Sequence, residues 1–395
     1  MQRKAAPFDL SAALRTAGYT PEALQRLLGI TVPDDIGLLN HAPAVERLTH
    51  DRSAAATMIR LFFLENAEPI GQVREVLSHA GCANLIATGM LLRRRGAAVH
   101  ARVRIDPVGD QHYVSDRRFS SVDRRALQLP KGDAVYPPSS DSLMLRDAVS
   151  APAARQVLDL CTGSGIQALQ VARTAERVVA VDVTPRAAAV ATFNARLNGV
   201  SNVEVRVGDL YSPLRGEQFD LIVANPPFVA SPYTNAPSYH SGGPRGDRVL
   251  RRIIAGWATH LHDRGRAFAI THLAVRDGED VRSAASAWFR GFPGRALVLV
   301  VETGTPVDLA AAQALFALAS GLKAYATEVR RWTQYLRRHR IQQVSALLIA
   351  AERGEHRGVE VVDAQPRVLP LPLTPAPAER IKSWLSSTSQ RSSHP

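Results

Sequence analysis

The stretch QVLDLCTGSGIQALQVA, residues 156–172, runs an apolar segment straight into a glycine-rich turn and then into a helical pattern. Val157, Leu158 and Leu160 read as a short buried strand, and the residues from Ile166 onward repeat at helical spacing. Gly163 and Gly165 fall in the turn between them. At such a strand-to-helix turn an open α/β sheet binds nucleotide-like ligands, and glycine lets the backbone approach the ligand closely.

The same rhythm continues outward. RVVAVDV, PRAAAVATFNARLNG, VEVRVGDL and FDLIVANPP alternate strand-like and helical runs, so a parallel sheet with helices on both faces is expected. Counting strands predicts seven, at 156–160, 177–182, 203–207, 219–224, 265–272, 296–303 and 344–352.

Chemistry-bearing residues fall at the ends of these strands. Asp182 closes the second strand 182 − 163 = 19 residues after the first glycine, where an acid can accept hydrogen bonds from two ribose hydroxyls. The third glycine of a dinucleotide fingerprint would be Ala168, which keeps a dehydrogenase open on this turn alone. Asp209 at the end of strand three and Asn225-Pro226-Pro227-Phe228 at the end of strand four reduce that reading. A nicotinamide enzyme has no need of the pair. An adenosyl ligand with a reactive sulfonium does.

Taken in order, DLCTGSG, AVDVTPRA, GDL and NPPF resemble the motifs of class I S-adenosylmethionine-dependent methyltransferases. Within that class they are most similar to the protein-(glutamine N5) methyltransferases, and also to RNA guanine-N2 and adenine-N6 enzymes with a "small methyltransferase" domain. The resemblance implies an α/β fold, a seven-stranded Rossmann-like methyltransferase sheet with its last strand antiparallel. It implies S-adenosyl-L-methionine as cofactor and S-adenosyl-L-homocysteine as product. Asp159, Cys161, Gly163 and Gly165 would hold the cofactor from the first turn, with Asp182 and Val183 at its ribose. Asp209 and Leu210 would lie at the adenine, and Asn225 beside the methyl.

In enzymes with this fourth motif, the asparagine and a proline carbonyl accept hydrogen bonds from a substrate NH₂ group. An amide or aromatic amine nitrogen is a poor nucleophile because its lone pair is delocalised. Two fixed acceptors orient it and favour pyramidal character in the transition state. Pro226 and Pro227 stiffen that backbone, and Phe228 offers a flat face to the acceptor. Asn225 is the expected catalytic residue. AVYPPSSDSLMLRDAV, ahead of strand one, resembles the segment that covers the cofactor in these families and makes Tyr136 a candidate substrate contact. The glutamine enzymes usually carry NPPY, and their downstream Gly-Gly-x-Asp-Gly is here GGPRGD, residues 242–247.

Residues 127–362 are thus read as the methyltransferase domain, with a helical insert at 306–342. A loop leaving strand six emerges on the same edge as Asn225, so the insert is expected to cap the acceptor pocket. Trp332 and Tyr335, one helical turn apart, would either face that pocket or dock the insert. Residues 1–126 read as helices up to Ala98 and then a hairpin around DPVGD. That order resembles a winged helix in topology, and a compact lid or dimerisation domain fits equally. Residues 363–395, rich in proline and serine, are expected to be a mobile tail.

Net charge is +12, which permits RNA or another acidic partner, although the arginines are scattered. Only Cys82 and Cys161 occur, as in a reducing cytoplasm without a disulfide framework. No signal peptide or membrane span is expected. His240, His260, His262 and His272 show no metal-ligand spacing and read as structural or surface residues. The expectation is a cytoplasmic N-methyltransferase acting on a planar nitrogen of a protein glutamine or small metabolite, with homodimerisation open. The alternatives are an RNA base amine as acceptor, O-methylation or other cofactor chemistry of secondary metabolism, and a winged-helix regulator with a vestigial enzyme domain.

Overall fold

The computed structural model describes residues 8–37, 39–118, 133–149, 154–233, 240, 242–364 and 376–386. The chain forms two units, one of Met1–Pro130, Val135–Ser140 and Phe193–Gly199, the other of Lys131–Ala134, Asp141–Thr192 and Val200–Pro395.

The N-terminal unit begins with helices Leu10–Thr16, Pro21–Leu28, His41–Arg47 and Ala54–Met58. Asp9 and Thr20 cap the first two by accepting the backbone N–H groups of Ala12 and Ala23. A short strand, Glu68–Pro69, then precedes helix Ile70–Ala87, which breaks at Ser78 with φ 64°. The helix expected to reach Ala98 stops at Ala87, and Leu91–Arg94 and Ala98–Ala101 pair as antiparallel strands. An exposed hairpin tip explains the correction: Leu91 and Val99 are buried while Leu92 to Ala97 are exposed, so the buried helical face ends before the strands begin. Strands Val103–Val108 and Gln111–Asp116 form the expected hairpin around Asp106–Asp110. Arg104 is fully buried and bonds Asp106 at 2.8 Å and the Phe63 carbonyl at 2.7 Å, so its charge is paired.

The second unit is built on one sheet of eight strands. They are β1 Gln156–Leu160, β2 Arg177–Asp182, β3 Val203–Val207, β4 Phe219–Ala224, β5 Leu261–Arg276, β6 Gly294–Gly304, β7 Ile341–Arg353 and β8 Gly358–Asp363. Their order is β3-β2-β1-β4-β5-β7-β6-β8. Strands β1 to β5 pair in parallel, and β7 runs antiparallel to both β5 and β6. The seven expected strands are therefore present, with β7 the antiparallel one. β8, which pairs in parallel with β6, is an eighth that strand counting missed. Helices α1 Ser140–Ala148, α2 Ile166–Val171, α3 Arg248–His260, α4 Pro306–Ala314, α5 Leu322–Arg338 and α6 Ala376–Ser386 complete the description needed here. Leu158, Leu160, Ile222 and Ala269 of the sheet share a core with Ile253, Ile254 and Trp257 of α3.

The insert lies at the edge of the sheet that bears Asn225. Trp332 and Val329 of α5 pack with Ala310 of α4 against Phe228, Val229 and Tyr233. Leu336 and Tyr335 pack on Ala230, Ala274 and Val344. Part of the expected tail is also structured: α6 buries Ile381 and Leu385, and Arg295 of β6 stacks on Trp384 at 4.0 Å. Its apolar residues sit at i and i+4, enough to dock one helix in a proline-rich surround; residues 365–375 and 387–395 lie outside the described residues. Among the described residues no helix is long and apolar enough to cross a membrane.

Candidate active site

The strand order brings four loops into a row. Asp209 and Leu210 follow β3, Asp182 and Val183 end and follow β2, Cys161 to Gly163 follow β1, and Asn225 follows β4. Four adjacent strands span about 14 Å at the usual inter-strand spacing. The row lies at the carboxyl ends of the strands, beside the crossover between β1 and β4.

The turn after β1 is tightly held. Thr162 donates its hydroxyl to Asp159 Oδ2 at 2.5 Å, the Ala168 N–H donates to the same oxygen at 3.1 Å, and the Thr162 N–H reaches the Val181 carbonyl at 3.1 Å. Cys161 takes φ 60°, an uncommon conformation for a residue with a Cβ, and Leu210 takes φ 52° at the corresponding place after β3. Gly165 has φ 83°, and a Cβ there would lie 3.1 Å from Leu169 Cδ1 and 3.2 Å from Ala191 Cβ. Gly165→Ala should therefore lower stability by about 1–3 kcal/mol, measured by chemical denaturation.

Asp182 bridges two elements. Its Oδ2 accepts the Gly163 N–H at 3.0 Å and its Oδ1 the Thr184 N–H at 3.0 Å. Asp209 bonds Arg252 of α3 at 2.7 Å, a residue sequence reading had not singled out. Asp159 is fully buried, and its Oδ1 has no hydrogen-bond partner among the described residues. Burial pushes its carboxyl up to about 7, against the hydrogen bonds from Thr162 and Ala168.

Asn225 sits beside α1. Its side-chain NH₂ donates to Asp141 Oδ2 at 3.1 Å and Ser142 Oγ at 3.4 Å. Asp141 only accepts, so this contact fixes which way the amide points and turns its Oδ1 away from α1. Ser142 is in turn held by Gln167 of α2, whose side chain donates to its carbonyl at 2.7 Å.

The segment GGPRGD packs backbone against backbone on this edge. Gly246 has φ 81°, and a Cβ there would come within 2.2 Å of the Phe228 carbonyl oxygen and 3.2 Å of that of His272. The glycine spacing thus serves close approach to the NPPF strand end. Phe228 stacks on His272 with ring centroids 4.4 Å apart.

Trp332 and Tyr335 take the docking placement, one of the two expected for them. Trp332 is only 2% exposed, covered by Val229, Ala310 and Tyr233, so its surface is spent docking the insert instead of lining a pocket. Tyr335 is half-buried against His339 and the β7 cluster, in the same docking role. Tyr136 belongs to the N-terminal unit and is 38% exposed. Of the histidines expected to be structural or on the surface, His272 packs on Phe228 of the NPPF segment.

Comparison with known proteins agrees with this geometry. The family described as methyltransferase small domain matches residues 139–276, and one described as a domain of unknown function (DUF7059) matches residues 16–102. A release factor glutamine methyltransferase of Xylella fastidiosa is 39% identical over 122 residues, which is 28% of this chain and 44% of that protein. One from Thermodesulfovibrio yellowstonii is 26% identical over 208 residues, 46% of this chain and 73% of its own length. A Methanocaldococcus jannaschii protein named for N5-glutamine methylation of proteins is 30% identical over 150 residues, 36% of this chain and 75% of its own length. The chain thus spans less than half of the Xylella relative.

Proposed function

This chain belongs to the class I S-adenosylmethionine-dependent methyltransferases, and from that premise we propose that it methylates the side-chain amide nitrogen of a glutamine in a protein. The observation that carries the reading is the orientation of Asn225. With its NH₂ committed to Asp141 and Ser142, its Oδ1 is the atom left to accept a hydrogen from the acceptor's NH₂. A neutral acceptor of this kind suits an amide nitrogen, which must be oriented rather than deprotonated before attack.

The residues present fit the cofactor. When bound, S-adenosylmethionine supplies an electrophilic methyl on a positively charged sulfur. Asp182 would accept from the ribose hydroxyls and Asp209 from the adenine amine. The open backbone at Gly163 and the exposed Val183 would lie against it.

Pro226 and Pro227 hold the acceptor carbonyls without ordering entropy at the moment of reaction. Phe228 would carry the flat amide, with the insert behind it keeping water out. An RNA base amine presents a similar NH₂ group, but the relatives are named for glutamine, which puts the protein amide first.

The N-terminal unit is read as a recognition or dimerisation module of winged-helix character. Support comes from the strand Glu68–Pro69 pairing with Val99 and Ala98, the helix broken at Ser78, and the hairpin that follows.

Incubation with methyl-labelled S-adenosylmethionine, offering purified peptide chain release factors, total RNA and a small-molecule extract in parallel, tests the reading. Label should enter a release factor. Label confined to RNA or to small molecules would contradict it.

A further inference from the structure

His272 has no place in the account so far, yet it stands at the same edge as Asn225. β5 pairs with β4 up to Ala269 opposite Ala224, and His272 lies three residues further along, 272 − 269, beyond the end of β4. Its ring meets Phe228 of the NPPF segment at 4.4 Å with planes 33° apart. Both rings are half-buried. Asp141, which holds the Asn225 amide at 3.1 Å, is also the carboxylate whose charge acts on the His272 ring. Asn225 and His272 are thus tied to the same NPPF segment, Asn225 as its first residue and His272 through the Phe228 ring.

Resting on the methylation reading above, we infer that His272 is a further catalytic residue, a neutral imidazole that receives the proton shed by the acceptor nitrogen as it is methylated. The nitrogen lone pair forms the new N–C bond, and the sulfur keeps the electron pair of the broken S–C bond and becomes a neutral thioether. As positive charge builds on the nitrogen, its N–H proton passes to the imidazole in the same step, which leaves a neutral N-methyl amide. The carboxylate of Asp141 offsets the charge on the imidazolium, and bulk water later removes the proton.

Burial holds the His272 imidazole below its ordinary pKa, which favours the neutral ring; Asp141 opposes that shift. Across the sheet His272 faces Ala346 of β7, and Arg245, whose carbonyl accepts the Ala274 N–H, has its guanidinium on Glu279 at 2.7 Å.

The action of Asp141 on His272 is tested first without substrate. In NMR titration of the full chain, with the signal assigned by its loss in His272→Gln, the ring should titrate below the ordinary histidine range. Asp141→Asn should move it lower still. A titration unmoved by Asp141→Asn would overturn that action. The second test is kinetic, on a release factor that the wild-type chain methylates. His272→Gln should lower kcat roughly 100-fold with little change in KM, as for loss of a general base. It should also abolish the acid limb of the kcat–pH profile, because below its pKa the wild-type ring is already protonated and the rate falls. Should His272→Gln fail the fold check by circular dichroism, His272→Asn takes its place. Full kcat with the acid limb intact would overturn proton acceptance while leaving the methylation reading standing. Absence of release-factor labelling by the wild type would instead sink that reading, with the NMR arm still deciding whether Asp141 acts on His272.

Discussion

Asn225→Ala should lower turnover roughly 100-fold or more while leaving S-adenosylmethionine affinity nearly unchanged, because its Oδ1 is asked to stabilise only the reacting nitrogen. The side chain is held at a single orientation by Asp141 Oδ2 at 3.1 Å. Alanine removes the acceptor and leaves Asp141 and Ser142 to water, with no change to the turn at Gly163 or to Asp182. Asn225→Asp is the sharper variant. It keeps the size and the acceptor oxygens but sets a second carboxylate against Asp141, so repulsion should turn the side chain out of place. Steady-state kinetics with calorimetric binding separates these effects. Near-normal turnover in both variants would remove the amide-acceptor mechanism.

Asp182→Ala should weaken S-adenosylmethionine binding by roughly 100-fold or more. Each charge-assisted hydrogen bond to a ribose hydroxyl contributes on the order of 1.5–3 kcal/mol. The structure adds a second reason for a large effect. Asp182 Oδ2 also accepts the Gly163 N–H at 3.0 Å, so the substitution releases the very backbone that faces the ligand. Asp182→Asn keeps one acceptor and should fall between the two. Calorimetry that found unchanged affinity in Asp182→Ala would show that the ligand lies elsewhere.

The catalytic half of the chain was legible because its signals are local. A strand must end where Gly163 and Gly165 begin, and acids at the ends of β2 and β3 follow at fixed intervals. Strand order then aligns them, which is a consequence of right-handed parallel crossovers. What the sequence hid depends on packing between distant segments. Arg252 reaches Asp209 across the start of α3, and Asp141 reaches Asn225 over 84 residues of chain. Trp332 was ambiguous because a helical aromatic looks alike whether it lines a pocket or docks; only the cover from Val229 and Ala310 decides. His272 was set aside because it shows no metal-ligand spacing, and only the longer reach of β5 past β4 brings it against Phe228. In the N-terminal unit the exposed, arginine-rich LLRRRG carries no alternation to mark its strand, and α6 hid within a stretch whose composition reads as unstructured.

The most direct test is fragment mass spectrometry of a purified release factor after incubation with the chain and S-adenosylmethionine. The account predicts one added methyl on a single glutamine side-chain nitrogen, present with the wild-type chain and absent with Asn225→Ala. A methyl on an oxygen or on any other residue type, or equal modification by the Asn225→Ala variant, would contradict it.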